Sequence, residues 1–333
     1  MTKKILVTGA TGFIGSNLCR NLLESGYQVR AFHREKSSLE LIKDLQLEHA
    51  VGDLNIPDSL EAAMQGVDGV FHTASKVDYW RGTDGIYKST VGGTRHVLEA
   101  ALKAGVNRVV YTSSVASLGV PDQKLPGDHP SLLMNETHAW NYRPEWFRYG
   151  HAKYLAEMEV QKAVAQGLDA VIVNPSMVLG PGDTNRISGE IVIQVARGIV
   201  RFGIPGGMNA IHIKDAVRGH ILALEKGLCG ERYILGAENK TFLEFIQITA
   251  KVVGRKPPKR VIPSWILRPM AAPLDLLCRF VPMPFNGDLL RFSNQNMFYD
   301  NTKAQQTLGL TNLLSVRTAL QDTYTWYQAQ DMI

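Results

Sequence analysis

Short apolar runs and longer amphipathic runs alternate through the first 175 residues of the chain. Runs of about five apolar or β-branched residues predict buried strands, and apolar residues spaced three or four apart predict helices. The predicted strands are Lys4–Val7, Gln28–Phe32, Leu47–Val51, Val67–His72, Arg108–Ser113 and Ala170–Asn174. The predicted helices are Phe13–Ser25, Leu60–Gln65, Asp84–Ala104 and Tyr149–Ala165. Because strand alternates with helix, we expect an α/β fold with a doubly wound parallel sheet.

The pattern changes after Pro175. Glycine and proline become frequent, and helical periodicity predominates at Ile187–Arg201, Asp215–Lys226 and Thr241–Val253. We therefore expect a first domain, 1–175, and a smaller, mainly helical substrate region, 176–333. The second region is expected to interleave with the first and to lie over one edge of the sheet.

The segment Ile262–Phe285 places five prolines among Trp, Leu, Met and Phe residues. One interpretation is a set of proline-broken helices that cover a substrate pocket. The other is a patch that lies on a membrane surface. The first is favoured here, because the charged face of the segment is thin.

Composition narrows the function classes. The 333 residues have a formal net charge of +5, without a basic run of five or more, so we expect no nucleic-acid partner. The cysteines Cys19, Cys229 and Cys278 lack metal-ligand spacing, so no metal site is expected. Without a signal-peptide pattern or an apolar stretch of about 18 residues, we expect a cytoplasmic protein with no integral membrane contact.

A glycine-rich turn follows the first predicted strand and opens the first predicted helix. Gly9 permits a tight turn, Gly12 allows close approach of a pyrophosphate, and Gly15 allows the helix to pack on the strand. The helix N-terminus then offers N–H groups to phosphates. This context favours a dinucleotide-binding Rossmann domain over an ordinary β–α turn. The expected cofactor contacts in the turn are Gly9, Thr11, Gly12, Phe13 and Ile14.

The end of the second strand bears on the choice of cofactor. No acid occupies position 32 or 33, and Arg34 follows, which suits a 2′-phosphate and predicts NADP. The alternative is a solvated Arg34 with Glu35 keeping NAD acceptable. Asp53 is expected to reach the adenine, although it is almost as well suited to a turn or helix cap. The small residues Thr73, Ala74 and Ser75 are expected to run beside the cofactor.

Tyr149 and Lys153 are four residues apart on a predicted helix, and therefore lie on one face. A nearby ammonium lowers the free energy of a tyrosinate, which suits the tyrosine to general acid/base work. Ser114, at the end of the fifth strand, can hydrogen-bond a substrate oxygen. Taken alone, this Tyr–Lys spacing is also common on solvated helix faces.

Together these motifs resemble the extended short-chain dehydrogenases/reductases, the NAD-dependent epimerase/dehydratase family. The resemblance extends over nearly the whole chain and is strongest to the dihydroflavonol reductase-like branch, which includes hopanoid-associated sugar epimerase-like bacterial proteins. The motifs that carry it are residues 8–15, 52–54, 109–114, Tyr149 with Lys153, 173–175, 180–183, 224–227 and 230–236.

The resemblance implies roles for individual residues. It implies catalysis by Ser114, Tyr149 and Lys153, a 2′-phosphate contact from Arg34, and cofactor contacts that include Leu54 and Pro175. It also implies a homodimer formed through the equivalents of helices 84–104 and 149–165. One departure is Thr90, which stands where the family commonly has an Asn that helps relay protons to the Lys. The Thr90 hydroxyl can still hydrogen-bond a water.

Three functions follow as hypotheses. The first is NADP(H)-dependent reduction of an aldehyde or ketone, or oxidation of the matching alcohol. The second is epimerisation of a nucleotide sugar with retained NAD. Against it, Met208 stands where nucleotide-sugar members place an Arg four residues before His212. The third is a non-catalytic NADP-binding regulator, disfavoured because Tyr149 and Lys153 are both present.

Two further patterns bear on the substrate. Val115 and Ala116 replace the Asp–Glu pair of dehydratases, which disfavours dehydration. The insert Gly127–Arg148 carries four aromatic residues, Trp140, Tyr142, Trp146 and Phe147. They predict a wall over an apolar or aromatic substrate, or alternatively ordinary packing beneath a lid.

Overall fold

A seven-stranded, wholly parallel sheet forms the centre of the fold. The computed structural model describes residues 3–75, 85–122, 133–278 and 295–333. Six strands lie within two residues of their predicted bounds, and a seventh, β9, comes from the C-terminal half. They are β1 Lys4–Thr8, β2 Gln28–His33, β3 Glu48–Val51, β4 Gly69–His72, β5 Arg108–Thr112, β6 Ala170–Pro175 and β9 Arg232–Leu235. The α/β doubly wound prediction is confirmed.

The strand order places a crevice at one edge of the sheet. The order is β3-β2-β1-β4-β5-β6-β9, and every neighbouring pair is parallel. The chain builds outward from β1 to β3, then returns to place β4 on the other side of β1. In such sheets ligands bind beyond the carboxyl ends of the strands at this point of reversal.

Helices cover both faces of this sheet. Helices α1 Phe13–Glu24 and α6 Ile213–Lys226 share one apolar cluster with strand side chains such as Ile5 and Val7. On the opposite face, a second cluster joins the sheet to α2 Pro57–Met64, α3 Gly93–Ala104 and α4 Arg148–Ala165. Burial on both faces explains why the strands read as continuous apolar runs.

Three predicted helices differ from those observed. The predicted Asp84–Ala104 helix begins outside the described residues and contains a π-helical turn, Lys88–Gly92, before α3. Helix α2 begins three residues early, because Pro57 is suited to a first helical turn. The predicted Ile187–Arg201 helix is only α5 Glu190–Ala196, and Gly198, with φ +75°, follows its end.

The region after residue 175 contains a second, small sheet that the sequence did not predict. Its strands are β7 Met177–Leu179, β8 Gly207–His212, β10 Glu238–Thr241 and β11 Asn296–Met297. The other three pair with β8, and β10 alone runs antiparallel to it. Two to six residues per strand are too few for a clear period-two pattern, and β10 is polar. The described part of the region therefore adds a small sheet, while helices still make up most of its regular structure, as predicted.

Four helices remain, of which the first and the last pack on the small sheet. They are α7 Phe242–Val252, α8 Ser264–Leu267, α9 Ala271–Cys278 and α10 Val316–Ala329. Strand β9 and helix α6 return to the first sheet although both follow residue 175. The boundary at residue 175 therefore divides the chain by position, and stays a prediction as a domain boundary. No helix in the described ranges is long and apolar enough to cross a membrane.

Candidate active site

The glycine turn between β1 and α1 forms a cradle with no room for side chains. Gly9 has φ +71°, and a Cβ there would lie 2.8 Å from the backbone of Ala74. A Cβ on Gly15 would lie 2.1 Å from the Gly9 carbonyl oxygen. Gly12 caps α1 without a side-chain hydrogen bond, so the first-turn N–H groups are available to an anion. This cradle fits the pyrophosphate of a dinucleotide.

The other predicted residues of the turn contribute mainly through their backbone. Phe13 and Ile14 are half-buried, and their side chains pack against the core beside α1. Thr11, in the loop itself, is also half-buried. The expected contacts of Phe13 and Ile14 with a phosphate would therefore come from their N–H groups.

The segment after β4 lies against the glycine turn. The Thr73 hydroxyl donates to the Thr8 carbonyl at 2.7 Å, and the Ala74 N–H donates to the Thr8 hydroxyl at 3.4 Å. The hydroxyls of Ser75 and Thr90 lie 3.4 Å apart. The structure thus brings Thr73, Ala74 and Ser75 beside the cradle, with the buried Thr90 behind them.

Arg34 and Asp53 line one surface cavity of about 500 Å³, together with Glu35, Lys36, Val51, Gly52 and Ile56. Asp53 also accepts hydrogen bonds from the N–H and the side-chain amide of Asn55, each at 2.8 Å. These bonds, with the charge of Arg34 contributing, lower the pKa of Asp53. Asp53 is therefore a turn residue that also faces the cavity. Leu54 packs against the core below α3.

Lys153 is buried on α4 and held at the carboxyl end of β5. Its Nζ donates to the Thr112 carbonyl oxygen at 2.8 Å and lies 5.2 Å from the Tyr111 ring centroid. Burial lowers the pKa of Lys153 to about 7, and the charge of Glu157 opposes that shift. Tyr149 is buried one helical turn earlier, on the same face. The two residues therefore lie at the sheet edge, not on a solvated helix face.

Gly150 explains how α4 comes so close to the loop after β5. A Cβ at this position would lie 2.6 Å from the Ala116 carbonyl oxygen, in the 3₁₀ turn Val115–Leu118. Ser114 caps that turn, and its hydroxyl oxygen accepts from the Ala116 N–H at 3.2 Å. The half-exposed Ser114 hydroxyl keeps its own proton for donation to a substrate oxygen.

A buried carboxylate, Glu157, fixes this loop, and it was not predicted from the sequence. Glu157 Oε1 accepts from the Ser113 hydroxyl at 2.5 Å, the Ser117 hydroxyl at 2.6 Å and the Asn174 amide at 2.6 Å. Its other oxygen lies 3.1 Å from the Arg232 guanidinium. The Asn174 amide also donates to the Ser114 carbonyl at 3.1 Å. Extending the Tyr–Lys spacing by four residues would have found Glu157.

The aromatic insert packs mainly behind the site. Trp140 stacks on Phe147 and Tyr154, with ring centroids 6.2 and 5.9 Å apart, and lies against His151. Residues 151 and 154 point away from the face of α4 that carries Tyr149 and Lys153. Trp140 therefore packs on neighbouring aromatic rings, and the substrate wall stays a prediction. Trp146 is exposed beneath Arg143, and residues 127–132 lie outside the described ranges.

His212 has a structural role at the start of α6. Its Nδ1 accepts from the Lys214 N–H at 3.0 Å, and its Nε2 lies 3.1 Å from Asp322. Met208, at the position where nucleotide-sugar members carry an Arg, packs against the apolar core of the small sheet. This arrangement offers no cation from position 208 to a diphosphate. Among the described residues, no cluster of His, Cys, Asp and Glu is arranged to hold a metal ion.

Comparison with known proteins agrees with this geometry. Residues 5–236 match the NAD-dependent epimerase/dehydratase family. A "putative dihydroflavonol 4-reductase" of Synechocystis sp. is 38% identical, covering 98% of this chain and 95% of the relative. The "sterol demethylase protein B" of Methylococcus capsulatus is 33% identical over 98% of this chain and 99% of the relative.

A solved structure shares the whole architecture. It is described as a nucleoside-diphosphate-sugar epimerase from Pseudomonas aeruginosa, and it superposes with a TM-score of 0.82 at 25% identity over all of both chains. The dinucleotide cradle, the motif order and the reductase-named relatives agree with one another. The chain therefore belongs to the NAD-dependent epimerase/dehydratase family of extended short-chain dehydrogenases/reductases, in its dihydroflavonol reductase-like branch.

Proposed function

We propose that this protein is an NADP(H)-dependent oxidoreductase that reduces an aldehyde or ketone, or oxidises the matching alcohol. One observation carries the proposal. Tyr149 and Lys153 lie on the buried face of α4, with Lys153 Nζ 2.8 Å from the Thr112 carbonyl at the end of β5. That sheet edge also carries the glycine cradle.

The cofactor, when bound, supplies or accepts the hydride. Gly9, Gly12 and the first turn of α1 would hold its pyrophosphate. Arg34 and Lys36, which line one cavity with Asp53, would hold a 2′-phosphate through charge-assisted hydrogen bonds. The cations Arg34 and Lys36 support NADP over NAD, and so does the absence of an acid at positions 32 and 33.

The side chains of the site would transfer one proton to the substrate and stabilise the charge that remains. In reduction, the Tyr149 hydroxyl donates its proton to the substrate oxygen, and the Lys153 ammonium stabilises the tyrosinate that remains. Ser114 donates a hydrogen bond to the same oxygen. The Thr112 carbonyl orients Lys153, and Glu157 favours its charged form.

The substrate is proposed to be apolar or aromatic. The two relatives have names that refer to dihydroflavonol and sterol compounds, and both cover almost the whole chain. Met208 supports this choice, because its side chain is apolar where a nucleotide sugar would need a cation.

A panel of aldehydes and ketones, followed through the absorbance of NADPH, tests the proposal. We expect turnover by the wild-type protein and a loss of about 100-fold or more in Tyr149→Phe, which lacks the proton donor. Undiminished turnover in Tyr149→Phe would contradict the proposed mechanism. NADPH binding without turnover of any carbonyl would favour the non-catalytic regulator.

Epimerisation of a nucleotide sugar is the second candidate, and the solved epimerase structure favours it. An epimerase returns the hydride to the same substrate and retains its NAD. The two functions are therefore separated by releasing the nucleotide from the purified protein and by assaying nucleotide-sugar interconversion without net NADPH consumption. Retained NAD together with interconversion would replace the reductase proposal.

A further inference from the structure

The described part of the C-terminal region exposes an unusual number of large apolar side chains. On α8, α9 and the turn between them, Trp265 is 74% exposed, Leu276 56% and Met270 54%. Two more lie on the loop after α5, where Ile199 is 65% and Phe202 50% exposed. Single exposed apolar residues are common, but a contiguous set marks an interaction surface.

The two segments that carry these side chains are joined by hydrogen bonds. The Gly203 N–H donates to the Arg260 carbonyl at 2.9 Å, and the Ile262 N–H donates to the Gly203 carbonyl at 3.0 Å. Beneath them, Leu267 and Ala271 are buried against Ile204, Ile262 and Leu274. The inward side chains thus anchor α8 and α9, and the exposed side chains lie on two segments that these hydrogen bonds join. We call residues 197–202 and 256–277 the apolar–basic surface.

Positive charge is concentrated around this surface. Residues 191–206 and 245–277 contain eight Lys or Arg and one acid, Asp275, although the whole chain has a net charge of only +5. The basic residues are Arg197, Arg201, Lys251, Arg255, Lys256, Lys259, Arg260 and Arg268. Lys256 and Lys259 are exposed, and neither pairs with a carboxylate in the described part of the chain.

We propose that the apolar–basic surface docks peripherally on a lipid bilayer that carries anionic headgroups. Trp265, Met270 and Leu276 insert at the boundary between headgroups and acyl chains, where tryptophan is favoured. The lysines and arginines beside them contact lipid phosphates. The inference does not rest on the proposed reaction.

The charges favour a bilayer over another protein. Lysine is depleted at the centre of protein interfaces, while aromatic side chains with a basic rim are typical of membrane-surface segments. A second copy of this chain would bring two sets of like charges together, which costs Coulomb energy. An anionic bilayer neutralises both sets of charges and accepts the apolar side chains.

Flotation of the full-length protein with lipid vesicles tests the proposal. One set of vesicles is phosphatidylcholine alone, and the other contains phosphatidylcholine with phosphatidylglycerol. At about 0.1 M salt we expect at least tenfold tighter binding to the anionic vesicles. Higher salt should weaken it, because the headgroup charges are then screened.

Two variants separate the apolar and the charged contributions. Trp265→Ala, at a largely exposed position, should reduce binding at least fivefold without changing the melting temperature. Lys256→Glu with Lys259→Glu should reduce it at least tenfold. The matched control, Lys214→Glu with Lys226→Glu, changes the net charge equally at exposed positions of α6 and should leave binding unchanged.

Three results would overturn the proposal. The first is no flotation with either kind of vesicle. The second is an equal loss in the two charge-reversal pairs, which would mean attraction by net charge alone. The third is self-association that Trp265→Ala abolishes without vesicle binding, which would assign the surface to a second copy. NADPH binding, measured on each variant, separates failure of this proposal from failure of the proposed reaction.

Discussion

Two opposing influences set the charge of Lys153 at the residue scale. Burial lowers its pKa to about 7, and Glu157, one helical turn further along α4, raises it. The ammonium is favoured below the pKa, so a lower pKa means loss of the charge at a lower pH. Glu157 therefore extends the pH range over which Lys153 can stabilise a tyrosinate.

Glu157→Gln should shift the alkaline limb of the kcat/KM profile to lower pH. The amide keeps most of the size of the carboxylate but removes the charge that favours the ammonium. Glu159→Gln is the matched control, because Glu159 lies on the same helix and pairs with Arg95 and Lys162 at its surface. Identical alkaline limbs in both variants and the wild type would contradict the role given to Glu157.

Arg34→Ala should lower kcat/KM for NADPH by roughly 10- to 100-fold, the range expected for a lost charge-assisted hydrogen bond. The value for NADH should change little, because NADH has no 2′-phosphate. Lys36→Ala removes the other cation lining the cavity, and it measures how much each of the two side chains contributes to binding the 2′-phosphate. Equal use of NADH and NADPH by the wild type, with no effect of Arg34→Ala on NADPH, would contradict the NADP prediction.

At the scale of elements, α4 packs closely against the turn after Ser114. Gly150→Ala places a Cβ 2.6 Å from the Ala116 carbonyl and from the Phe147 ring. We expect α4 to move away from the turn, with lower turnover and an unfolding free energy reduced by about 1–3 kcal/mol. Denaturant unfolding together with the carbonyl assay measures both effects.

Gly92→Ala is the control for helix propensity. Gly92 also has a helical backbone, and a Cβ there meets nothing within 4 Å. It should therefore gain up to about 1 kcal/mol of stability, since alanine favours the helix over glycine. If both alanine variants are stabilised equally, the contact between α4 and Ala116 does not constrain the helix.

The boundaries of the strands show where the sequence pattern was sufficient to place an element. Strands β1, β2, β4, β5 and β6, most of whose residues are buried, were placed within two residues, since burial on both faces leaves a nearly continuous apolar run. The small sheet was missed, because β7 has three residues and β11 two. Their pairing depends on β8, which lies 27 or more residues away from both.

At the scale of the whole molecule, two buried histidines make the unfolding free energy depend on pH. His72 bridges the hydroxyls of Thr8 and Thr94, and His220 bridges the Thr112 hydroxyl and the Ala216 carbonyl. Burial lowers the pKa of His72 to about 3 and that of His220 to about 4. Both are neutral in the folded protein, whereas in the unfolded chain they bind protons near pH 6.5.

The unfolding free energy should therefore fall as the pH falls from about 6.5 toward 4. The unfolded chain binds more protons in that window, at up to about 1.4 kcal/mol per pH unit for each histidine. Denaturant unfolding at pH 7.0 and 5.0 measures the difference, and His220→Gln should reduce it. An unfolding free energy that is equal at both pH values in the wild type would contradict this prediction.

The family resemblance also predicts that the whole molecule forms a homodimer. Leu155 and Met158 are half-buried on α4, the helix whose Glu159 pairs with Arg95 of α3. Leu155→Glu should convert a dimer to a monomer, because a charge would be buried at the interface. Light scattering with size exclusion measures this. A wild-type monomer at micromolar concentration would contradict the expectation, and Trp265→Ala should not change the mass.

The sequence alone determined the features that depend on local spacing. Periodicity gave the order of strands and helices, glycine positions gave the cradle, and a four-residue interval placed Tyr149 beside Lys153 on one helix face. These follow from backbone geometry, which repeats every two or 3.6 residues regardless of what lies across the fold.

Only the tertiary structure decided which distant residues meet. It brought Arg232 and Asn174 to Glu157, turned Trp140 to the back of α4, and paired β8 with three strands from separate parts of the chain. It also showed that the proline-rich segment 262–278 buries some apolar residues and exposes others beside a cluster of cations. Such contacts depend on how whole elements pack, and packing is not encoded in the spacing of neighbouring residues.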